Sequence, residues 1–278
     1  MKIIELVSRL PTPIANLVDI WANRIFLSQT SRLACETSRL GRADERLRAA
    51  VDHCDSENHL WQEALNSFHK CGLGNLSLEQ SIEKRLLFHF ARNLQPSSVL
   101  EIGSFLGHSA LVFTSALTAA RLETSQFKIC SVDIVDVNDA STGYWPQHGQ
   151  RYSPQQMIHK IQPDAQVEFV QADSISFLNQ SEDEFDLIFL DGHHRGTTVY
   201  RETVLALRRL RPGGHLLLHD YHPFHFIPYK RKIVPGPYLA VQRLIREGVP
   251  LVTLPLCTIP ASSTKRVPTT LCVVAAQE

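Results

Sequence analysis

Two apolar runs of the sequence each end in an aspartate, and histidines accompany both. Phe185 to Asp191 reads as a buried strand followed by Gly-His-His, and His215 to Asp220 reads as a strand that ends in Leu-His-Asp. Because parallel strands place their carboxyl ends at one edge of a sheet, we expect the two aspartates to converge. Two carboxylates are costly to hold together unless a cation neutralises them, and oxygen-rich sites suit Mg²⁺, Ca²⁺ or Mn²⁺. The pair therefore predicts a divalent-metal site.

A glycine turn follows an earlier apolar strand. Glu101 lies in that strand, Gly103 and Gly107 bracket the turn, and Ser109 opens a segment with helical spacing. Such a turn lets backbone N–H groups approach a nucleotide-like ligand, and a helix N-terminus favours negative charge. The pattern Glu-x-Gly-x-x-x-Gly-x-Ser is not the Gly-x-Gly-x-x-Gly of dinucleotide folds, which weakens a pyrophosphate interpretation. An ordinary strand-to-helix turn is the alternative.

Acids also follow the next two strands. Asp133 ends an apolar strand, where it could accept hydrogen bonds from both hydroxyls of an adenosine ribose, or could merely cap the next turn. Asp136 and Asp139 lie close enough in sequence to compete for that role. Asp173 and Ser174 follow the next strand, and Asp173 could be the N-cap of a short helix.

In this order the motifs resemble those of class I S-adenosylmethionine-dependent methyltransferases, and most closely the metal-assisted O-methyltransferases that act on catechols, sugars and other natural products. The resemblance covers residues 98–222. It implies a Rossmann-like, doubly wound α/β fold with a mostly parallel seven-stranded sheet, an antiparallel last strand and an N-terminal helical extension. It also implies methyl transfer from S-adenosylmethionine to a hydroxyl of a small molecule.

The resemblance further implies roles for particular residues. Asp173 and Ser174 would contact the adenine of the cofactor. The predicted cofactor-binding residues are Glu101, Gly103, Ser104, Gly107, Ser109, Asp133, Asp173 and Ser174. Asp191 and Asp220 would hold the metal, with Mg²⁺ the expected ion. The family's third ligand is often Glu or Asn, whereas the candidates here are His219 and Tyr221; we select His219.

His194 is the predicted catalytic base. It lies three residues past Asp191, where the resemblance implies a catalytic histidine, and His193 is the second choice. A metal-bound hydroxyl has a lowered pKa, and an imidazole can accept its proton. A hydrogen-bonded structural histidine is the alternative. A zinc or iron site could instead form from His193, His194, His219, His222 and Asp220.

The composition points to no nucleic-acid or membrane partner. The chain has 278 residues, of which 44% are hydrophobic, and Lys plus Arg equals Asp plus Glu at 28, so the formal net charge is zero. No global field would attract a polyanion. No apolar stretch approaches the roughly 18 residues of a membrane span, and the six cysteines include no Cys-x-x-Cys pair. We expect a cytoplasmic protein with a small-molecule substrate.

The predicted domains are a helical extension over residues 1–75 and a methyltransferase domain over 76–278. The extension could cap the pocket, form a homodimer interface or lengthen the core. Residues 77–80 predict a capping box that opens the next helix. The polar loop 138–152 is expected to border the substrate entrance or simply to be covered by solvent. The basic, proline-rich segment 221–238 is a candidate substrate wall, and a solvated loop without a ligand is the alternative. A cofactor-binding protein, or a non-methylating lyase or oxygenase on the same fold, is the alternative function.

Overall fold

The computed structural model describes residues 57–73, 82–120, 123–221, 236–255 and 271–276. Their apolar runs form seven strands of one sheet. The strands are β1 Ser98–Ile102, β2 Lys128–Asp133, β3 Gln166–Gln171, β4 Phe185–Leu190, β5 Leu210–Leu218, β6 Leu251–Pro255 and β7 Cys272–Ala276.

The sheet has the order β3-β2-β1-β4-β5-β7-β6. The strands from β3 to β5 in this order are parallel, and β7 is antiparallel to both β5 and β6. Strands β2 and β3 lie in turn on one side of β1, and β4 lies on the other side of β1. The order thus reverses between β1 and β4, where an open α/β sheet forms a crevice beyond the carboxyl ends of its strands. The predicted fold class is confirmed.

Seven α-helices among the described residues cover the two faces of this sheet. They are α1 Asn58–Lys70, α2 Ile82–Leu94, α3 His108–Ala119, α4 Pro154–Ile161, α5 Ser174–Gln180, α6 Gly196–Arg209 and α7 Gly236–Arg246. Helices α1 to α4 pack on one face and α5 to α7 on the other, which gives two separate apolar clusters. Helix α4 begins at Pro154, and Ser153 is its N-cap.

The central strands are buried on both faces. In β4, Leu187 and Phe189 belong to the first cluster, whereas Ile188 and Leu190 belong to the second. This explains why the strand is an unbroken apolar run rather than an alternating one.

Helix α1 is part of the same core. Trp61 packs edge-on against both Phe68 and Phe88, with ring centroids 6.5 and 5.5 Å apart, and all three are buried. The predicted domain boundary at residue 75 stays a prediction, and residues 1–56 lie outside the described part of the chain, as do the capping box at 77–80 and the segment 222–235. No helix in the described ranges is long and apolar enough to cross a membrane.

One strand differs from its predicted bounds. β5 begins at Leu210, directly after α6, rather than at His215. Its register against β4 shifts between Phe185 and Leu187, which accommodates the Pro-Gly-Gly sequence within the strand. The displacement does not reach the carboxyl end of β5, where the predicted site residues lie.

Candidate active site

A cavity of about 570 Å³ opens at the carboxyl ends of β1, β2 and β4. Its walls contain most of the residues predicted from the sequence. The predicted residues that line it are Gly103, Ser104, Ser109, Asp133, Asp173, Ser174, Asp191, His193 and His194. Glu101, Gly107, His219 and Asp220 are not among its lining residues.

The glycine turn needs glycine at both predicted positions. Gly103 has φ +100°, and a Cβ there would lie 2.3 Å from the carbonyl oxygen of Asp191. Gly107 has φ +75° and precedes α3, where a Cβ would lie 2.5 Å from Cβ of Pro154. Both distances are too short for any side chain. The turn therefore packs directly on the backbone that follows β4.

Glu101 lies beneath this turn and is completely buried. The Ser131 hydroxyl donates a hydrogen bond of 2.5 Å to its Oε2, while its Oε1 has no hydrogen-bond partner among the described residues. Burial raises the pKa of Glu101 to about 8, although the Ser131 hydrogen bond, the Lys84 ammonium and the Ser109 hydroxyl oppose that rise. The group is thus largely a neutral acid at pH 7, with one oxygen left to donate or accept a hydrogen bond.

Asp133 fixes the turn and also faces the cavity. It accepts hydrogen bonds from the backbone N–H of Phe105 at 3.0 Å and of Val135 at 3.3 Å. Phe105 has φ +46° and is 45% exposed, and its ring lies 5.0 Å from that of Tyr144 in the 138–152 loop. The turn-capping interpretation of Asp133 is therefore correct, and its ribose-binding role stays a prediction.

Asp173 is the N-cap of α5, since its carboxylate accepts the N–H of Ser176 at 2.9 Å. Ser174 donates a 2.5 Å hydrogen bond to Glu202, a buried acid on α6 that also lines the cavity. Burial raises the pKa of Glu202 to about 7, against the opposing effect of the Ser174 hydrogen bond. The predicted adenine end of the cavity thus contains an acid that the sequence analysis did not select.

Asp191 and Asp220 do converge, but an imidazole lies between them. His219 Nδ1 is 3.0 Å from Asp191 Oδ1 and 3.4 Å from Asp220 Oδ1. Its Nε2 is 3.1 Å from Oε2 of Glu83 on α2. Tyr221, the other candidate ligand, is buried instead against Tyr238.

The position of His219 determines whether these groups fit a metal. Its Nε2 forms a hydrogen bond with the Glu83 carboxylate, whereas its Nδ1 lies beside Asp191 and Asp220 without a hydrogen-bond partner among the described residues. Within the ranges that the structure describes, no group of three or more His, Cys, Asp or Glu side chains is arranged to hold a metal ion. The metal-binding roles of Asp191, Asp220 and His219 therefore stay a prediction.

His219 itself supplies positive charge to the cluster. Burial opposes its protonation, but Asp191 and Glu83 outweigh that effect and raise the pKa of His219 to about 10. The sequence argument expected a divalent ion beside the two carboxylates, and that ion stays a prediction. The raised pKa of His219 favours its charged form, which offsets part of the negative charge around it.

The two predicted catalytic histidines differ in their contacts. His193 Nδ1 accepts the backbone N–H of Arg195 at 3.1 Å, whereas His194 Nε2 lies 3.7 Å from Oδ2 of Asp220. The backbone at His194 is confined by α7, because a Cβ on Gly236 would lie 1.9 Å from the His194 carbonyl oxygen. His194 thus has a carboxylate beside its ring and a fixed main chain.

Three residues of this site were missed from the sequence. Glu83 and Lys84 come from the first turn of α2, and Glu202 comes from α6. Glu202 could have been found, because it interrupts the apolar face formed by Val199 and Ala206. The α2 pair gives no comparable signal, since charged residues in a first turn are ordinary.

Comparison with known proteins finds one family match, which covers part of the chain. Residues 100–221 match the family model of a methyltransferase domain. None of the curated proteins matches the chain.

Solved structures share the fold at low sequence identity. Cofactor-bound Rv0187 from MTB has a TM-score of 0.51 and 17% identity, over 79% of this chain and 90% of that one. An O-methyltransferase from Bacillus cereus in complex with SAH has a TM-score of 0.47 and 14% identity, over 84% of this chain and 91% of that one. TomG, an O-methyltransferase from Streptomyces achromogenes in complex with SAM, has a TM-score of 0.45 and 16% identity, over 86% of this chain and 92% of that one.

The family model matches fewer than half of the 278 residues, and it spans the strands and turns from which the resemblance to S-adenosylmethionine-dependent methyltransferases was predicted. The solved structures show the fold that this resemblance implies.

Proposed function

We propose that this protein transfers the methyl group of S-adenosylmethionine to a hydroxyl of a small molecule, with His194 as the base. One observation carries the proposal: a single cavity at the switch point joins the glycine turn, Asp133 and the histidine pair. The donor-binding motif and the candidate base thus face the same space. A cytoplasmic location, a homodimer and a role in natural-product biosynthesis stay predictions.

Methyl transfer from a sulfonium needs little catalytic assistance at the leaving group, because that group departs as a neutral thioether. The protein must align the acceptor oxygen with the methyl carbon and remove the hydroxyl proton. His194 lies at the cavity, and Asp220 stands close enough to stabilise the imidazolium that forms when His194 accepts that proton.

His193 is the poorer base. Because its Nδ1 accepts the N–H of Arg195, the proton of the neutral ring is on Nε2, which can then donate but not accept. Burial, with the neighbouring Arg195 and His194, also lowers the pKa of His193. Of the two predicted histidines, we therefore assign the proton transfer to His194.

The proposal contains no step at a divalent ion, because no group of three or more His, Cys, Asp or Glu side chains in the described ranges is arranged to hold one. A hydroxyl that is not bound to a metal keeps a high pKa, so proton removal must accompany methyl transfer. An acidic phenol or catechol suits such a site better than an aliphatic alcohol. We propose phenolic hydroxyls as the first acceptors to test.

The proposal is tested by donor binding followed by transfer. Calorimetric titration with S-adenosylmethionine and S-adenosylhomocysteine should show binding at one site per chain. Incubation with labelled S-adenosylmethionine and a panel of catechols, phenols, sugars and hydroxy acids should then label an acceptor, with mass spectrometry to locate the methyl group. Donor binding without any transfer would favour the non-methylating alternative. Failure to bind either compound would contradict the proposal.

A further inference from the structure

The first turn of α2 brings a lysine into the donor cavity. Lys84 lines the cavity, and its Nζ donates a 2.5 Å hydrogen bond to Oγ of Ser109. Ser109 is buried in the first turn of α3, the helix that the glycine turn opens. The ammonium therefore lies beside the N-terminus of α3, where backbone N–H groups also favour negative charge.

The charges around the cavity are unequal. Four acids line it, namely Asp133, Asp173, Asp191 and Glu202, whereas Lys84 is the only lysine or arginine among the lining residues that the structure describes. A ligand with a single anionic group would place that group at Lys84, because every other region of the wall is neutral, imidazole or acidic. S-adenosylmethionine is such a ligand, since its carboxylate accompanies an ammonium and a sulfonium.

We infer that Lys84 binds the α-carboxylate of the methyl donor, together with the Ser109 hydroxyl and the first turn of α3. This inference rests on the proposed function. It makes α2, which lies before the matched methyltransferase region, a part of the donor site.

This placement orients the whole donor. With its carboxylate at Lys84, the donor's ammonium and sulfonium would face a wall whose charged residues are otherwise acids, Asp191 among them. The opposite end, at Asp133, Asp173 and Glu202, remains for ribose and adenine. Because Ile102 pairs with Val132, the turn after β1 and the acid that ends β2 are neighbours, as a bound nucleoside requires.

A purely structural role is the competing explanation, in which Lys84 only ties α2 to α3 through Ser109. The two explanations differ in which ligands respond to a change at position 84. A structural role affects every ligand of the cavity, whereas a carboxylate contact affects only ligands that have the carboxylate. Decarboxylated S-adenosylmethionine lacks that group alone and is therefore the matched probe.

The experiment compares the binding of S-adenosylmethionine and its decarboxylated form by titration calorimetry. The proteins are the wild type, Lys84→Met, Lys84→Arg and the control Lys128→Met, which removes an exposed lysine of β2 paired with Asp183. A charge-assisted hydrogen bond predicts that Lys84→Met weakens S-adenosylmethionine binding about 10- to 100-fold. Binding of the decarboxylated form should be unchanged or tighter, and Lys84→Arg should keep most of the preference for the carboxylate.

Two results would overturn the inference while the proposed function stands. One is equal weakening of both ligands by Lys84→Met with an unchanged unfolding midpoint; the other is a wild-type preference that survives in Lys84→Met. Should Lys84→Met not fold, Lys84→Gln takes its place in the same comparison. If the wild type binds neither compound, the proposed function itself fails, and that outcome is visible before any variant is made.

Discussion

The carboxylate of Glu83 and the imidazole of His219 meet at 3.1 Å although 136 residues separate them. The contact ties the first turn of α2 to the end of β5, next to Asp191 and Asp220. It therefore connects a helix outside the recognisable motifs with the centre of the predicted site.

Glu83→Gln should destabilise the protein. The change leaves a largely buried imidazolium with fewer charged partners, which should lower the free energy of unfolding by about 1 to 3 kcal/mol. Urea denaturation measures the effect. Glu63→Gln, on the exposed face of α1, is the control and should leave the midpoint unchanged. Equal stability of the two variants would show that the contact contributes nothing.

His194→Gln should slow methyl transfer without weakening donor binding. Loss of a general base lowers kcat by about 100-fold or more, whereas the KM for S-adenosylmethionine should change little. His193→Gln is the matched variant. It should retain most of the activity, because Nδ1 of His193 accepts the backbone N–H of Arg195. A larger loss in His193→Gln than in His194→Gln would reverse the assignment.

Chelation should not abolish activity. Because the described side chains include no group arranged to hold a metal ion, turnover with EDTA should equal turnover with added Mg²⁺. Elemental analysis of the purified protein should find no stoichiometric divalent metal. Activity that disappears in EDTA and returns with Mg²⁺ would contradict this expectation and support Asp191, Asp220 and His219 as the metal ligands.

Gly103→Ala should be far more damaging than Gly149→Ala. Both glycines have positive φ, but a Cβ meets the Asp191 backbone at position 103 and nothing within 4 Å at position 149. We expect a cost of about 1 kcal/mol at 149 from backbone strain alone, and roughly 2 to 4 kcal/mol at 103. Thermal unfolding and S-adenosylhomocysteine titration measure both effects. Similar losses would remove the close approach as the reason for Gly103.

Glu202 should make stability depend on pH. Its pKa rises from 4.5 in the unfolded chain to about 7 in the fold, so the folded state holds the proton more tightly. The stabilisation is complete below pH 4.5 and is lost as the pH rises through about 7. Between pH 5 and 8, wild type should therefore lose about 2 to 3 kcal/mol more than Glu202→Gln. Urea denaturation at both values tests this, with exposed Glu182→Gln as the control; parallel curves for all three proteins would contradict it.

The sequence predicted those parts of the site that are contiguous in the chain. Each strand that ends in an acid, and the turn at Gly103, can be recognised locally, because strand, turn and helix start follow one another within a dozen residues. The parallel sheet then brings Asp191 and Asp220 together, as expected. What the sequence could not give was the group between them, since the side-chain direction of His219 depends on Glu83 from a distant helix.

The contributions of α2 illustrate the same limit. The charges at Glu83 and Lys84 are unremarkable in a helical first turn, and only the packing of Trp61, Phe88 and Phe113 in one core sets which way that turn faces. A helix's orientation is a property of the assembled core. The functional residues of such a helix can therefore be recognised only when the packing of the core is known.

The absence of a side chain at position 236 has a further meaning for catalysis. Since the start of α7 rests against the His194 carbonyl, a shift of that helix would move the base relative to the sulfonium donor. Methyl transfer is sensitive to alignment on the scale of an ångström. In the proposed reaction, the size of the acceptor that can be methylated is thus set partly by how the start of α7 packs against the loop after β4.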